Sequence, residues 1–134
     1  MTRLVPVLAS AAAYWALGAL WYSLVFGGVW AAGLAAHGIE IPHPTPRQVG
    51  LKLALTFVAN VIAASVMGWL VDRVDAATFS GGALVGLLTG TGLAATGLAV
   101  AYTWENKPVQ LYLVDAGYHV AGLTLLGGIL AAWH

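Results

Sequence analysis

Four stretches of this chain are each long enough to cross a bilayer and nearly free of charge, and no other feature limits the fold as sharply. They run over about Val5 to Gly27, Gln48 to Val71, Phe79 to Thr103 and Val109 to Trp133. A helix needs roughly 20 apolar residues to span the hydrocarbon. Isolated strands cannot do so, because every unpaired backbone group in lipid carries a large free-energy cost. None of the four stretches shows the alternation of apolar and polar residues that a small barrel requires. Only 7% of the 134 residues are charged and 60% are hydrophobic, whereas a solvated globular surface takes about 25% charged residues. The expected fold is an all-α membrane protein, a four-transmembrane-helix antiparallel bundle forming a single integral membrane domain over residues 1–134.

The connections carry the punctuation such a bundle needs. Ala36 to Arg47 contains His37, Glu40, Pro42, His43, Pro44 and Pro46, and closely spaced prolines remove backbone donors and hold a loop extended. Asp72-Arg73-Val74-Asp75 and Glu105-Asn106-Lys107-Pro108 join the later helices. Links this short make consecutive helices antiparallel neighbours. Arg3 followed by an apolar run has the look of a leader peptide, but the run continues past Ala13 to Phe26. It is therefore read as a first membrane helix. Four of the six tryptophans, Trp30, Trp69, Trp104 and Trp133, fall near helix ends, the pattern of an interfacial belt. Trp15 and Trp21 lie deeper and must face the bundle or a second subunit.

Charge excludes some partners. Five basic residues balance five acidic ones. There is no Lys/Arg cluster to displace counterions from nucleic acid, so nucleic acid is not an expected partner. No cysteine is present, which removes disulfides, thiolate metal sites and cysteine nucleophiles. With an even number of spans both termini share one face of the membrane, here called the terminal side. That side carries Arg3 and Arg73, and the opposite loop side carries Arg47, Lys52 and Lys107. A bias of three against two does not set the orientation.

Polar groups inside a bilayer are costly and each needs a reason. Lys52, Thr56 and Asn60 recur at i, i+4 and i+8 of the second helix, which puts them on one face. Asp115 and His119 repeat that spacing in the fourth, with Tyr118 beside them, and Trp21, Tyr22 and Ser23 lie near the loop-side end of the first. Glu105 closes the third. Helices 1 and 3 end on the loop side and helices 2 and 4 begin there, so these residues share the loop-side half of the bundle. The expectation is a ligand or proton site opening to the loop side, beneath the loop bearing His37 and His43, with Lys52 and Asp115 as an ion pair. The alternative is a purely structural polar network that fixes helix register. Asp115 and His119 alone do not make a metal site, and no cofactor motif is present. Ser23 has no base near it in sequence, so no catalytic residue is assigned.

Gly82, Gly86 and Gly90 recur every four residues of the third helix. Such a stripe lets another helix backbone approach closely, either within the bundle or at an oligomer seam. It is no phosphate loop, since no Lys-Ser/Thr follows.

Gly18-Ala-Leu-Trp21-Tyr22-Ser23, Phe26-Gly27 and Trp30, together with Trp104-Glu105 and Asp115-Ala-Gly117-Tyr118-His119, make the chain resemble the uncharacterised family known as domain of unknown function 1761. The sequence departs from that pattern at Leu24, where a proline is expected, and at Gly28, where a basic residue is common. The resemblance implies a small polytopic membrane protein of bacterial type, seated in the cell membrane, and supplies no activity or catalytic residue. The functional expectation is a non-enzymatic module that binds or transports a small ligand or ion, with the lipid bilayer and further copies of the chain as partners. An accessory subunit of a larger membrane complex and a membrane enzyme acting on a lipid-like substrate are the alternatives.

Overall fold

The structure is a computed structural model that describes residues 3–40 and 43–133. Helix α1 (Leu4–Leu20) runs into a π-helical turn (Trp21–Val25) and is followed by α2 (Gly27–Ala36) and α3 (Pro46–Arg73). Next, α4 (Phe79–Thr89) passes through a second π-helical turn (Gly90–Ala94) into α5 (Ala95–Glu105), and α6 (Val109–Ala132) ends the fold. Four spans long and apolar enough to cross a membrane result: Leu4–Val25, α3, Phe79–Glu105 and α6. Among the described residues there is no strand. The segment between Gly27 and Ala36, given no element from the sequence, forms the short helix α2. Pro42 of the prolyl loop lies outside the described residues.

Local chemistry explains the boundaries. Thr45 caps α3 by accepting from Gln48 N at 3.3 Å, while Gln48 Oε1 accepts from Thr45 N at 2.9 Å, and Pro46 takes the first helical position where no donor is needed. Thr78 caps α4 through Gly81 N at 3.1 Å. Asn106 ends α5 in the left-handed conformation, φ 53°, which a short polar side chain tolerates. At the terminal side Arg3 is bonded to Asp72 and reaches Leu130 O at 3.3 Å, tying the first, second and fourth spans together. Arg73 lies 5.0 Å from the Trp69 ring centre.

The most extensive helix contact is α4 on α6. Gly82, Gly86 and Gly90 all face α6: a Cβ on Gly82 would collide with the Gly127 carbonyl, one on Gly86 with the Leu123 carbonyl, and one on Gly90 would stand 2.9 Å from Val120 Cα. Gly127 meets the Gly82 carbonyl in return. The stripe thus serves contact within the chain, where two backbones approach closely enough for dispersion and Cα–H···O contacts to accumulate. The apolar core, Val7, Ala11, Tyr14, Ala64, Met67, Val71, Leu126, Leu130 and Ala131, occupies the half of the bundle nearer the termini. The loop-side half is looser. From Pro46 to Ala59, α3 is exposed apart from the half-buried Phe57, so beyond the contacts of Trp15 with Leu53 and Phe57 it leans on its neighbours only from about Asn60 onward.

Replacing Gly86 with valine is expected to destabilise the bundle by about 3 kcal/mol or more, because the main chain of α6 must retreat. A Cβ on Gly92 meets nothing within 4 Å, so Gly92→Ala is expected to change stability by no more than about 0.5 kcal/mol. Unfolding titrations in mixed micelles compare the two.

Candidate functional site

Asp115 is the junction of the loop-side half. Tyr22, from the π-helical turn of the first span, donates to its Oδ1 at 2.6 Å, and Tyr102 of α5 donates to its Oδ2. One carboxyl group therefore joins three of the four spans. Bonds to such a group are the stronger kind, and lipid offers no competing donor. Tyr102 also stacks edge-on with Tyr112 at 5.7 Å and lies beneath the Lys107 ammonium, 5.2 Å from its ring centre. Tyr112 donates to the Ala95 carbonyl at 2.9 Å.

The first π-helical turn makes this geometry possible. Consecutive residues on a regular α-helix point about 100° apart, yet Trp21 Nε1 donates to Val114 O at 2.9 Å while Tyr22 bonds to Asp115, the next residue of the same partner helix. Widening the turn brings both side chains onto α6. Phe26 N closes it onto Trp21 O at 2.8 Å. Gly27 is required just beyond, since a Cβ there would stand 2.9 Å from the Tyr22 carbonyl. Bulges of this kind are frequent at functional sites.

A second pair lies deeper. Tyr14 Oη and His119 Nδ1 are 2.6 Å apart. Tyr118 sits between the two pairs, with ring centres 5.1 Å from Tyr14, 5.5 Å from Tyr22 and 4.9 Å from His119. At 1.5 Å rise per residue, Asp115 lies roughly 9 Å and His119 roughly 15 Å from the loop-side end of α6. All five tyrosines of the chain belong to this assembly. It runs from Tyr112 and Tyr102 at the mouth, through Asp115, Tyr22 and Tyr118, to Tyr14 and His119 at mid-depth.

The residues singled out from sequence divide accordingly. Asp115, His119, Tyr118, Trp21 and Tyr22 are brought together. Glu105 is held outside, in an ion pair with Lys107 at 2.7 Å. The expected Lys52–Asp115 pair does not form. Lys52 is exposed on the free part of α3, in a groove with His43, Pro44, Gln48, Leu51 and Leu55, where a long side chain reaches the interface. Both oxygens of Asp115 are meanwhile occupied by tyrosines. Thr56 turns its hydroxyl onto its own helix, to the Lys52 and Leu53 carbonyls. Of these three only Asn60 is buried, beside Tyr118, and its Nδ2 falls short of a regular hydrogen bond to that hydroxyl. His37 Nδ1 lies 3.0 Å from Gly33 O of its own helix, so that nitrogen is engaged locally. Ser23 likewise bonds back to Ala19 O. Among the described residues no three His, Asp or Glu side chains converge as metal ligands would. Trp15 and Trp21 both bond within the chain, Trp15 Nε1 to Leu53 O at 3.2 Å.

Tyr14, Tyr102 and Tyr112 were not among the residues expected. A neutral phenol in an apolar span stands out less than a charged group unless it adjoins one, although Tyr14, Gly18 and Tyr22 at i, i+4 and i+8 mark one face of the first span.

Four antiparallel apolar spans, joined by a carboxyl-centred polar cluster, define a multi-pass helical membrane protein. Residues 5–131 match the family described as "Protein of unknown function (DUF1761)", and the chain belongs to that family. No curated protein and no solved structure matches it.

Tyr22→Phe and Tyr102→Phe are each expected to cost about 1–2 kcal/mol of stability. In an Asp115→Leu background both effects should shrink to within about 0.5 kcal/mol, since the shared acceptor is gone. Lys52→Met should be silent. Double-mutant cycles in mixed micelles read all of these.

Proposed function

We propose that this protein is a non-enzymatic binding module for a small ligand, whose polar part is received by the cluster around Asp115 in the loop-side half of the membrane. One observation carries this reading: a continuous path of Tyr102, Asp115, Tyr22, Tyr118, Tyr14 and His119 reaches mid-depth in a bundle that is otherwise apolar. A single buried polar residue can be enough to fix helix register. Six linked groups go well beyond that, and polar residues concentrated within spans mark binding or conduction sites.

Binding is favoured over conduction through a single chain because the path ends blind. Beyond Tyr14 and His119 lie Ala11, Ala64, Leu126 and Leu130, all fully buried, and the one buried polar side chain there among the described residues, Ser10, donates to Val7 O of its own helix and does not extend the path. A through-path would have to run between copies of the chain.

Protein extracted with its native lipid and analysed for retained small molecules provides the test. The wild type is expected to hold one near stoichiometry, and Asp115→Asn, which keeps an acceptor for the tyrosines, to reduce its occupancy about tenfold through loss of roughly 1.4 kcal/mol. Equal occupancy in the two proteins, or none in the wild type, would overturn the proposal.

A further inference from the structure

A crevice of about 460 Å³ opens between the first span and α3, lined by Trp15, Gly18, Ala19, Leu53, Thr56 and Tyr118, with Tyr22 at its loop-side end. It exists because the loop-side half of α3 stands away from the bundle, propped by the Trp15 bond to Leu53 O. Ala19, Leu53 and Thr56 are exposed within spans long and apolar enough to cross a membrane, so the crevice opens on the outer flank of the bundle between two such spans. No lining residue is charged, and its walls are largely apolar and aromatic. An occupant must therefore be neutral and arrive from within the bilayer.

The inner end supplies the polar specificity. Tyr118 forms the floor, and its hydroxyl donates in a long contact to Tyr14 O at 3.4 Å. Behind it is Asn60, 8% exposed, one helical turn beyond Thr56 on the same face of α3. Its Nδ2 is turned to the Tyr118 hydroxyl but falls short of a regular hydrogen bond to it, a poorly satisfied state for a buried amide. The other polar side chains at the crevice are already engaged: Tyr22 donates to Asp115, Thr56 to its own helix and Trp15 to Leu53. What remains on offer is donors. An acceptor placed on Tyr118 would take that hydroxyl's proton in a shorter bond, and the polarised oxygen would become a better acceptor for Asn60 Nδ2. One ligand oxygen thus engages the first group and strengthens the use of the second.

We propose that this crevice admits a neutral, membrane-dissolved carbonyl compound, a ketone or quinone-like ring carrying an apolar tail, whose carbonyl oxygen accepts from Tyr118 with Asn60 behind it. The proposal rests on the binding reading above and names its ligand class and route of entry. Gly18 belongs to the design: a Cβ there would stand 2.9 Å from the Tyr118 hydroxyl and push the floor out of place.

The probe is 4-decylbenzophenone in dioleoylphosphatidylcholine nanodiscs, because its excited carbonyl labels whatever lies next to that oxygen. Saturable labelling is expected at Gly18, Ala19, Thr56 and Tyr118. Decanophenone should compete, and decylbenzene, which has no carbonyl, should not. Tyr118→Phe keeps the ring, and Ala19→Phe fills the crevice from its exposed face. Each is expected to lower labelling about tenfold, the equivalent of one lost hydrogen bond or of a blocked site. Labelling unaffected by Ala19→Phe but concentrated at Ala99, Tyr102 and Tyr112 would overturn the crevice and leave the binding reading standing. Labelling no stronger in the loop-side half than at lipid-facing Leu84 and Leu88, in the half nearer the termini, would overturn both.

Discussion

Inside the hydrocarbon there is no water to complete a hydrogen bond, and each level of this structure answers that constraint. The backbone meets it by remaining helical, so that donors and acceptors pair within each span. Side-chain hydroxyls meet it locally: Ser10, Ser65, Thr89, Thr91, Thr96, Thr103 and Thr124 all donate to carbonyls three or four residues earlier. Asp115 cannot satisfy its acceptors within its own helix. It draws phenolic donors from two other spans, and the arrangement of the loop-side half follows from that demand.

The two halves of the bundle are held by different forces. Near the termini, glycines bring α4 and α6 into main-chain contact, and Leu126, Leu130 and Val71 fill the core at close packing. Toward the loops that close fit gives way to aromatic stacking and hydrogen bonds to tyrosine, with α3 standing apart. Close packing leaves no room for a guest. An aromatic, hydrogen-bonded wall with a helix held off it does, and this is why the binding proposal is placed where the apolar core ends.

The π-helical turn at Trp21–Val25 connects the two regimes. It lets adjacent residues Trp21 and Tyr22 engage adjacent residues of α6, and it ends at Gly27, where the chain bends into α2. In turn α2 lies over the first residues of α6, with Gly33 against the Leu111 side chain. The mouth of the polar region is thereby partly covered by the same segment that supplies its donors.

Span number, the antiparallel arrangement and the concentration of polar residues toward the loops were legible in the sequence, because length, hydropathy and depth along a helix are properties of single segments. Asp115, His119 and Tyr22 stood out for the same reason: each is costly where it lies. Pairing was not legible. Lys52 and Asp115 have opposite charges at similar depth, but α3 holds its loop-side half away from α6, and two tyrosines reach the carboxyl first. Whether Gly82, Gly86 and Gly90 face inward, that Tyr14, Tyr102 and Tyr112 join the polar path, and that Asn60 is buried while Lys52 and Thr56 are exposed depended on how each helix is rotated about its axis. Rotation is set by the neighbours a helix packs against, so only the tertiary structure could decide it.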